Sequence, residues 1–434
     1  MGQTGSYYRP TSINDLTDDD LLKIFSYLNL KDKILSTRVC KRWRDLLKHP
    51  SIWKRIDVTA YKRLAHKTLW SNAAELQQVL QKHETIALEF LETYAGHSTT
   101  SINLGELVNN DILIHLRESC PNLVHIKLTK LVAKHPNIKL SLLPRNLRVI
   151  NLRLISFREK HMQARISSHM RDFVVEPFLF LHHLSLDGAT ISCALSKQLS
   201  LSTKLSTLRL QSCVLRPSMT EDFEILTTQL NNLTQLDLAF CRFYTEEVLE
   251  VVLRCIAINL TSLRYCGFHC LLPSPHRKFD EFLKFISPDG SLVRLHLSGM
   301  QGITPRVFSE FTQRNQNLEI LHLRFCKTIN DESVVSIATN LQHLKELKLS
   351  GCRDISKHGY RQLAHHPSLQ VLEIAEMNIA LEAILFVARS LPCLIHLSLS
   401  PTEHKVCAKV LRKERPQLVV SVARLDYQEY LDHF

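Results

Sequence analysis

No run of the 434 residues reaches the roughly eighteen consecutive apolar side chains that a membrane-spanning helix requires. The N-terminus has no apolar core of the kind a secretory signal carries. Membrane insertion and export are therefore not expected. The twelve cysteines include no C-x-x-C pair. The closest two, Cys266 and Cys270 in CGFHC, flank His269 without the four ligands in recognised spacing that a zinc site needs. They read as buried free thiols, and the spread of the others points to a reducing compartment, cytoplasmic and/or nuclear. A Gly-rich phosphate loop, a G-x-S-x-G elbow and an H-E-x-x-H pair are also missing, and the 22 histidines are scattered without metal-ligand spacing. No catalytic residue, cofactor, metal or small-molecule substrate is expected.

What is present is an ordinary globular composition, 45% hydrophobic and 22% charged. Lys and Arg (54) exceed Asp and Glu (42), a formal charge of +12 that favours encounter with acidic partners and says nothing about fold. Without a dense basic run or an RNA-type aromatic motif, a basic scaffold for nucleic acid is the weaker reading. One end signal stands out. MGQTGS satisfies M-G-x-x-x-[ST], making Gly2 a candidate for N-myristoylation and for reversible membrane association.

LTDDDLLKIFSYL announces a helix. Thr17 is placed to cap it, Asp20 stands three positions on as in a capping box, and Asp18 and Asp19 add charge that the helix dipole favours. Leu21, Ile24, Phe25 and Leu28 then fall at helical spacing, with Leu22 beside them. Asn29 ends the run. LKDKILSTRVCKRWRDLLKHP continues with Ile34, Leu35, Val39, Cys40, Trp43, Leu46 and Leu47, with or without a break near Ser36 and Thr37, and Pro50 closes it. A unit this small cannot bury so many large side chains alone.

Leu16 to Leu28, Asp32, VCKRW at Val39 to Trp43, and Trp53 together resemble the F-box, the short helical module that binds a Skp-type adaptor of cullin-based ubiquitin ligases. Thr17 stands where the family usually has proline, and Asp20 where it is often apolar. By the resemblance, Leu16, Leu21, Ile24, Phe25, Leu28, Val39 and Trp43 would supply adaptor contact or the scaffold behind it. Lys41, Arg42 and Arg44 would form its polar rim. Next, SNAAELQQVLQKH reads as a helix capped by Ser71 with Leu76, Val79 and Leu80 on one side, and no Gly/Ser-rich linker interrupts the join.

From about Ile102 the chain repeats L-x-x-L-x-L: LVHIKL from Leu123, LRVINL from Leu147, LHHLSL from Leu181, LSTLRL from Leu205 and LTQLDL from Leu233. LRYCGF from Leu263, LVRLHL from Leu292, LEILHL from Leu318, LKELKL from Leu344, LQVLEI from Leu369 and LIHLSL from Leu394 follow. Starts are mostly about 24 to 30 positions apart, with one gap of about 34 before Leu181, the spacing of leucine-rich repeats. Each copy reads as a short strand with one buried face, and stacked copies form a parallel sheet. Segments such as INDESVVSIATN would return as helices, started by Asn330 or Asp331 and packed through Val334, Val335 and Ile337. Cys213, Cys241, Cys326 and Cys352 each stand eight positions after a repeat's first leucine and suit the turn leaving a strand. The fold class is α/β: a three-helix F-box at 10–58, a helical linker at 59–98, a curved solenoid of about 12 repeats at 99–423 and a tail at 424–434. The insertion SFREKHMQARISSHMRDFVVEPF and the loop LLPSPHRKF break the regularity and are candidate binding loops.

On the concave side the outward positions are Arg209, Asp237, Arg294, His296, His322, Arg324, Glu346, Lys348 and Glu373. The cations among them, Arg209, Arg294, Arg324 and Lys348, with His296 and His322, suit a carboxylate or a phosphate on a substrate protein. With the F-box this resembles the F-box and leucine-rich-repeat class of substrate receptors of SCF-type ubiquitin ligases. The resemblance implies a non-catalytic role, with a Skp-type adaptor and through it a cullin as partners, and an acidic or phosphorylated protein as cargo. The competing reading is an F-box protein acting outside ubiquitination.

Overall fold

A computed structural model describes residues 12–61, 73–129, 138–153, 179–191, 193–215, 220–268, 279–377 and 379–423. Gly2, Ser71, Cys270, the 156–178 insertion, positions 271–278 of the proline loop and the 424–434 tail lie outside them, as do the side chains of Leu76, Val79 and Leu80. The chain divides into two compact units, Met1–Lys160 and His161–Phe434.

The first unit opens with α1 (Asp18–Tyr27), α2 (Leu30–Ser36) and α3 (Lys41–Leu46), followed by a single 3-10 turn at Pro50–Trp53 and strand β1 (Arg55–Asp57). The capping box is formed as the spacing predicts. The Thr17 hydroxyl oxygen accepts from the Asp20 amide at 3.2 Å, and Asp20 Oδ2 accepts from the Thr17 hydroxyl at 2.6 Å. The two residues that depart from the family pattern thus serve the helix start together. Asn29 caps α2, accepting from the Asp32 amide, and the break near Thr37 is real. Leu21, Phe25, Leu47, Ile52 and Trp53 are fully buried, each removing about 1.5 to 3 kcal/mol of apolar surface from water.

Helix α4 (Ala73–Tyr94) runs longer than the sequence pattern indicated. Its end packs on the three-helix unit: Phe90 and Tyr94 lie 5.4 and 4.4 Å, centroid to centroid, from Trp53. Beyond it come β2 (Ser101–Gly105), α5 (Asn110–Ser119), β3 (His125–Thr129) and β4 (Val149–Arg153). The strands β1, β2, β3 and β4 pair in that order and all parallel, Ile56 beside Ile102 beside Ile126 beside Ile150. Residues at the end of the segment read as F-box therefore form the first strand of the sheet. Thr99 Oγ1 donates to the Trp53 carbonyl and Ser98 Oγ to that of Pro50, tying the same junction a second time.

The second unit repeats one plan. Strands β5 (His183–Asp187), β7 (Thr207–Gln211), β9 (Gln235–Asp237), β11 (Tyr265–Gly267), β12 (Arg294–His296), β13 (Ile320–His322), β14 (Glu346–Lys348), β15 (Val371–Glu373), β16 (His396–Leu399) and β17 (Val419–Val422) form a parallel sheet in that order. The pattern that fades in sequence after Leu418 still supplies β17. Short strands β6 (Thr190–Ile191), β8 (Val214–Leu215) and β10 (Arg242–Phe243) make a second small sheet. Helices return the chain between strands: α6 (Cys193–Ser200), α7 (Thr220–Gln229), α8 (Glu246–Asn259), α9 (Phe279–Phe285), α10 (Pro305–Arg314), α11 (Asp331–Asn340), α12 (Lys357–Gln362), α13 (Leu381–Ser390) and α14 (Pro401–Glu414). Asn330 caps α11 in a capping box with Ser333, and Val334 and Ile337 are buried, but Val335 is exposed, so it does not pack inward as the pattern implied.

Two polar ladders run along the edges of these repeats. Before the first leucine, Asn232, Ser291, Asn317 and Ser368 donate to the carbonyls of Thr203, Thr261, Gly290 and Gln342 in the preceding repeat. At the other edge the thiols of Cys213, Cys241, Cys326 and Cys352 donate to the carbonyls of Leu186, Leu210, Leu297 and Leu323, again one repeat back. The residue before each of these cysteines, Ser212, Phe240, Phe325 or Gly351, has a left-handed backbone, which turns the thiol inward. Burial pushes the Cys352 thiol up to about 12, so it serves as a donor and not as a nucleophile.

Candidate functional sites

On the first unit the residues expected to meet an adaptor separate into two groups. Leu21 and Phe25 are buried in the helical core, and Trp43 is half-buried, its ring edge-on to Phe25 at 5.0 Å. These three are scaffold. Ile24 and Val39 are exposed, at 39% and 61%, joined by Leu35 at 47% and Tyr27 at 81%. Leu16 and Leu28 are half-buried. The Trp43 indole Nε1 is buried and has no acceptor among the described residues; a donor left so costs about 1 to 3 kcal/mol.

The basic side chains beside Trp43 do different jobs. Arg42 reaches back across the helices: its Nε and Nη2 donate to Asp18 Oδ1 at 2.9 and 2.7 Å, and Nη1 and Nη2 to the carbonyls of Asn14 and Leu16 at 2.7 Å. It holds the chain entering α1 instead of merely rimming an interface. Arg44 Nε donates to the Thr37 carbonyl at 3.2 Å. Lys33, which the sequence reading passed over, is 5% exposed, with Nζ donating to the Ile52 carbonyl at 3.0 Å and lying 5.3 Å from the centre of the Trp53 ring. Burial lowers its pKa.

On the second unit the sheet face away from the helices carries the outward residues in two rows fixed by strand register. One runs Arg209, Asp237, Gly267, His296, His322, Lys348, Glu373, and the other Gln235, Tyr265, Arg294, Ile320, Glu346, Val371. The charges are not free in the way the sequence alone suggests. Arg324, just past β13, donates from Nε and Nη2 to both carboxylate oxygens of Glu373, two strands away. Lys348 Nζ lies 2.8 Å from Glu346 Oε1, which also accepts from His322 Nε2 at 2.9 Å. Two of the four cations read as a binding cluster are therefore spent within the fold. His322 stacks on His296, centroids 3.9 Å apart and rings 12° from parallel. Burial lowers the His322 pKa despite Glu346, so its imidazole is neutral at pH 7, while its hydrogen bond and those of Lys348 hold Glu346 down to about 2.

Arg209 and Arg294 remain. Neither has a carboxylate partner among the described residues; Arg209 is exposed and Arg294 half-buried, its guanidinium 5.3 Å from the centre of the Tyr265 ring. Tyr265 was absent from the sequence reading. The signal was available: L-R-Y-C-G-F puts an aromatic at an outward position beside a glycine in the next outward position.

The F-box-like family model matches residues 18–59. The human F-box/LRR-repeat protein 12 is 30% identical over 138 residues, 32% of this chain and 39% of that protein. F-box protein SKIP5 of Arabidopsis thaliana is 43% identical over 51 residues, 12% of this chain and 19% of that protein. The matched region thus spans well under half the length of these curated relatives. In fold, the chain is similar to a solved structure of the yeast Rad7 and Elc1 complex, with a TM-score of 0.52 at 15% identity, covering 91% of this chain and 98% of that one. A helical F-box-like module followed by parallel leucine-rich repeats is the combination that defines the F-box and leucine-rich-repeat proteins, and the chain is similar to that class.

Proposed function

We propose that the protein is a substrate receptor of an SCF-type ubiquitin ligase. Its F-box holds a Skp-type adaptor and, through it, a cullin scaffold, while the repeats capture a target protein and bring its lysines to a ubiquitin-charged enzyme. The contribution to rate is effective concentration, so no chemistry is asked of its own side chains. One observation carries the reading: on a domain matched as F-box-like, Ile24, Leu35 and Val39 remain exposed while the core behind them is complete. Exposed apolar side chains on such a domain are suited to contact with a protein partner. The yeast complex of Rad7 with Elc1 supports a protein partner for this fold. Cytoplasm and nucleus are the compartments we assign, since thiols such as Cys326 and Cys352 serve the repeats in reduced form. Myristoylation at Gly2 would add reversible membrane contact, and intact mass reads it directly.

The test is co-purification of the full chain with a Skp-type adaptor and a cullin. The Ile24→Asp, Val39→Asp double variant is expected to lose adaptor at least tenfold with its thermal melt unchanged. Undiminished adaptor capture by a folded variant overturns the proposal.

A further inference from the structure

Tyr265, Gly267 and Arg294 meet in the middle of the helix-free face of the second unit. Gly267 occupies the outward position where its neighbours in the row carry Asp237 and His296. A Cβ there would lie 2.6 Å from Tyr265 Oη and 3.3 Å from Asp237 Oδ1, so the Tyr265 ring lies across the space the glycine leaves. Its hydroxyl reaches His296 Nδ1 at 3.3 Å, and the Tyr265 and His296 rings meet edge to face at 5.1 Å. Arg294, next to Tyr265 in register, sits over one side of the ring. Arg209 stands two strands to the other side, on β7, and like Arg294 it has no carboxylate partner among the described residues. Burial raises the Tyr265 pKa, and the charges of Arg209 and Arg294 oppose that rise. Asp237 between them is 7% exposed and already engaged, Oδ2 accepting from Gln211 and Oδ1 from the Ala239 amide, both at 3.0 Å.

We infer that this Arg209, Tyr265 and Arg294 platform is the anchor of the captured protein, and that it takes a single carboxylate, an Asp or Glu side chain of an extended acidic segment. The inference rests on the receptor reading above. The charge count selects the ligand: two guanidinium groups and one fixed carboxylate leave the patch one positive charge in excess, matched by one carboxylate and overdrawn by a phosphate dianion lying near Asp237. The ring adds an apolar shelf for the residue beside the acid, and a flat guanidinium over a ring is already oriented to offer its fork. The remainder of the face does not compete, because Arg324 and Lys348 are neutralised in place by Glu373 and Glu346.

Three labelled peptide libraries serve as the probe, randomised around a fixed central Glu, Gln or phosphoserine, with binding to the full chain followed by fluorescence polarisation. The Glu library is expected to bind at least tenfold more tightly than the Gln library. Arg209→Ala and Arg294→Ala should each erase that preference. Gly267→Ala should do the same with every charge intact, by displacing the Tyr265 ring. Arg254→Ala, on the helical side, is the control and should keep it. Equal binding of Glu and Gln libraries, binding of none, or tighter binding of phosphoserine overturns the assignment. Adaptor capture, measured on the same preparations, separates the two proposals: its loss in the wild-type chain sinks the receptor reading, and a flat peptide response sinks only this one.

Discussion

Arg324 and Glu373, forty-nine positions apart in sequence, form a two-pronged ion pair that passes over strand β14. Glu373 is 4% exposed and takes a further hydrogen bond from Ser350 Oγ at 2.8 Å, whose oxygen in turn accepts from the Ala375 amide. The pair links three consecutive repeats.

Removing one member strands the other. Arg324→Ala is expected to lower unfolding stability by about 3 kcal/mol, since an unpaired buried carboxylate is left behind. The double variant Arg324→Met, Glu373→Leu should recover most of that loss, because replacing both charges with apolar groups removes the desolvation cost as well. Urea unfolding of the three proteins checks it, and a single variant as stable as wild type would show that water reaches Glu373.

Glu84 on α4 is 8% exposed, and burial raises its pKa from 4.5 to about 7, against an opposing hydrogen bond from Asn109. A folded-state pKa above the unfolded one means that the folded protein holds a proton the unfolded chain gives up. Its stabilising contribution is complete below about pH 4.5, falls as pH rises, and is gone above about pH 7. Glu84→Gln should abolish this slope, gaining on wild type by the order of 2 kcal/mol between those limits. Melting temperatures of the two proteins at pH 5 and pH 8 on a common buffer scale read the difference.

Lys33 runs the opposite way. Its pKa is lowered by burial, so the folded state binds the proton less well than the unfolded chain. The cost is present at neutral pH and lifts as pH climbs toward the ordinary lysine value. Wild type should therefore gain stability relative to Lys33→Met on going from pH 8 to pH 10. Parallel melts that stay a constant distance apart would mean the amine sees solvent.

Much of the fold was legible in the sequence. The repeat leucines show because stacking identical units imposes a period, and the Thr17 and Asp20 box shows because a helix cap is made within four residues. The phased cysteines are legible for the same reason. The site was less so. The sequence displays Arg294, Arg324 and Lys348 as a run of positive charge; Glu346 stands two residues from Lys348 on the same strand, but Glu373 becomes a neighbour of Arg324 only through strand register. The lean of Tyr265 over Gly267, the burial of Lys33 and the reach of Arg42 to Asp18 are likewise products of packing between distant segments. Sorting Leu21 and Phe25 from Ile24 and Val39 needed the core they bury in, since periodicity marks a helical face more coarsely than burial does.

Strand β1 gives the first unit no clean place to be cut. Ile56 enters the sheet three residues after Trp53, and Trp53 is itself roofed by Phe90 and Tyr94 of α4. A fragment ending at Val58 would expose that indole and an open strand edge, so excised it should clump or melt early. Grafting the module onto another scaffold would have to carry α4 and β2 along. Inserting one residue between Trp53 and Ile56 would turn Ile56 to the wrong side of the pleat and misalign the helices by the same stroke.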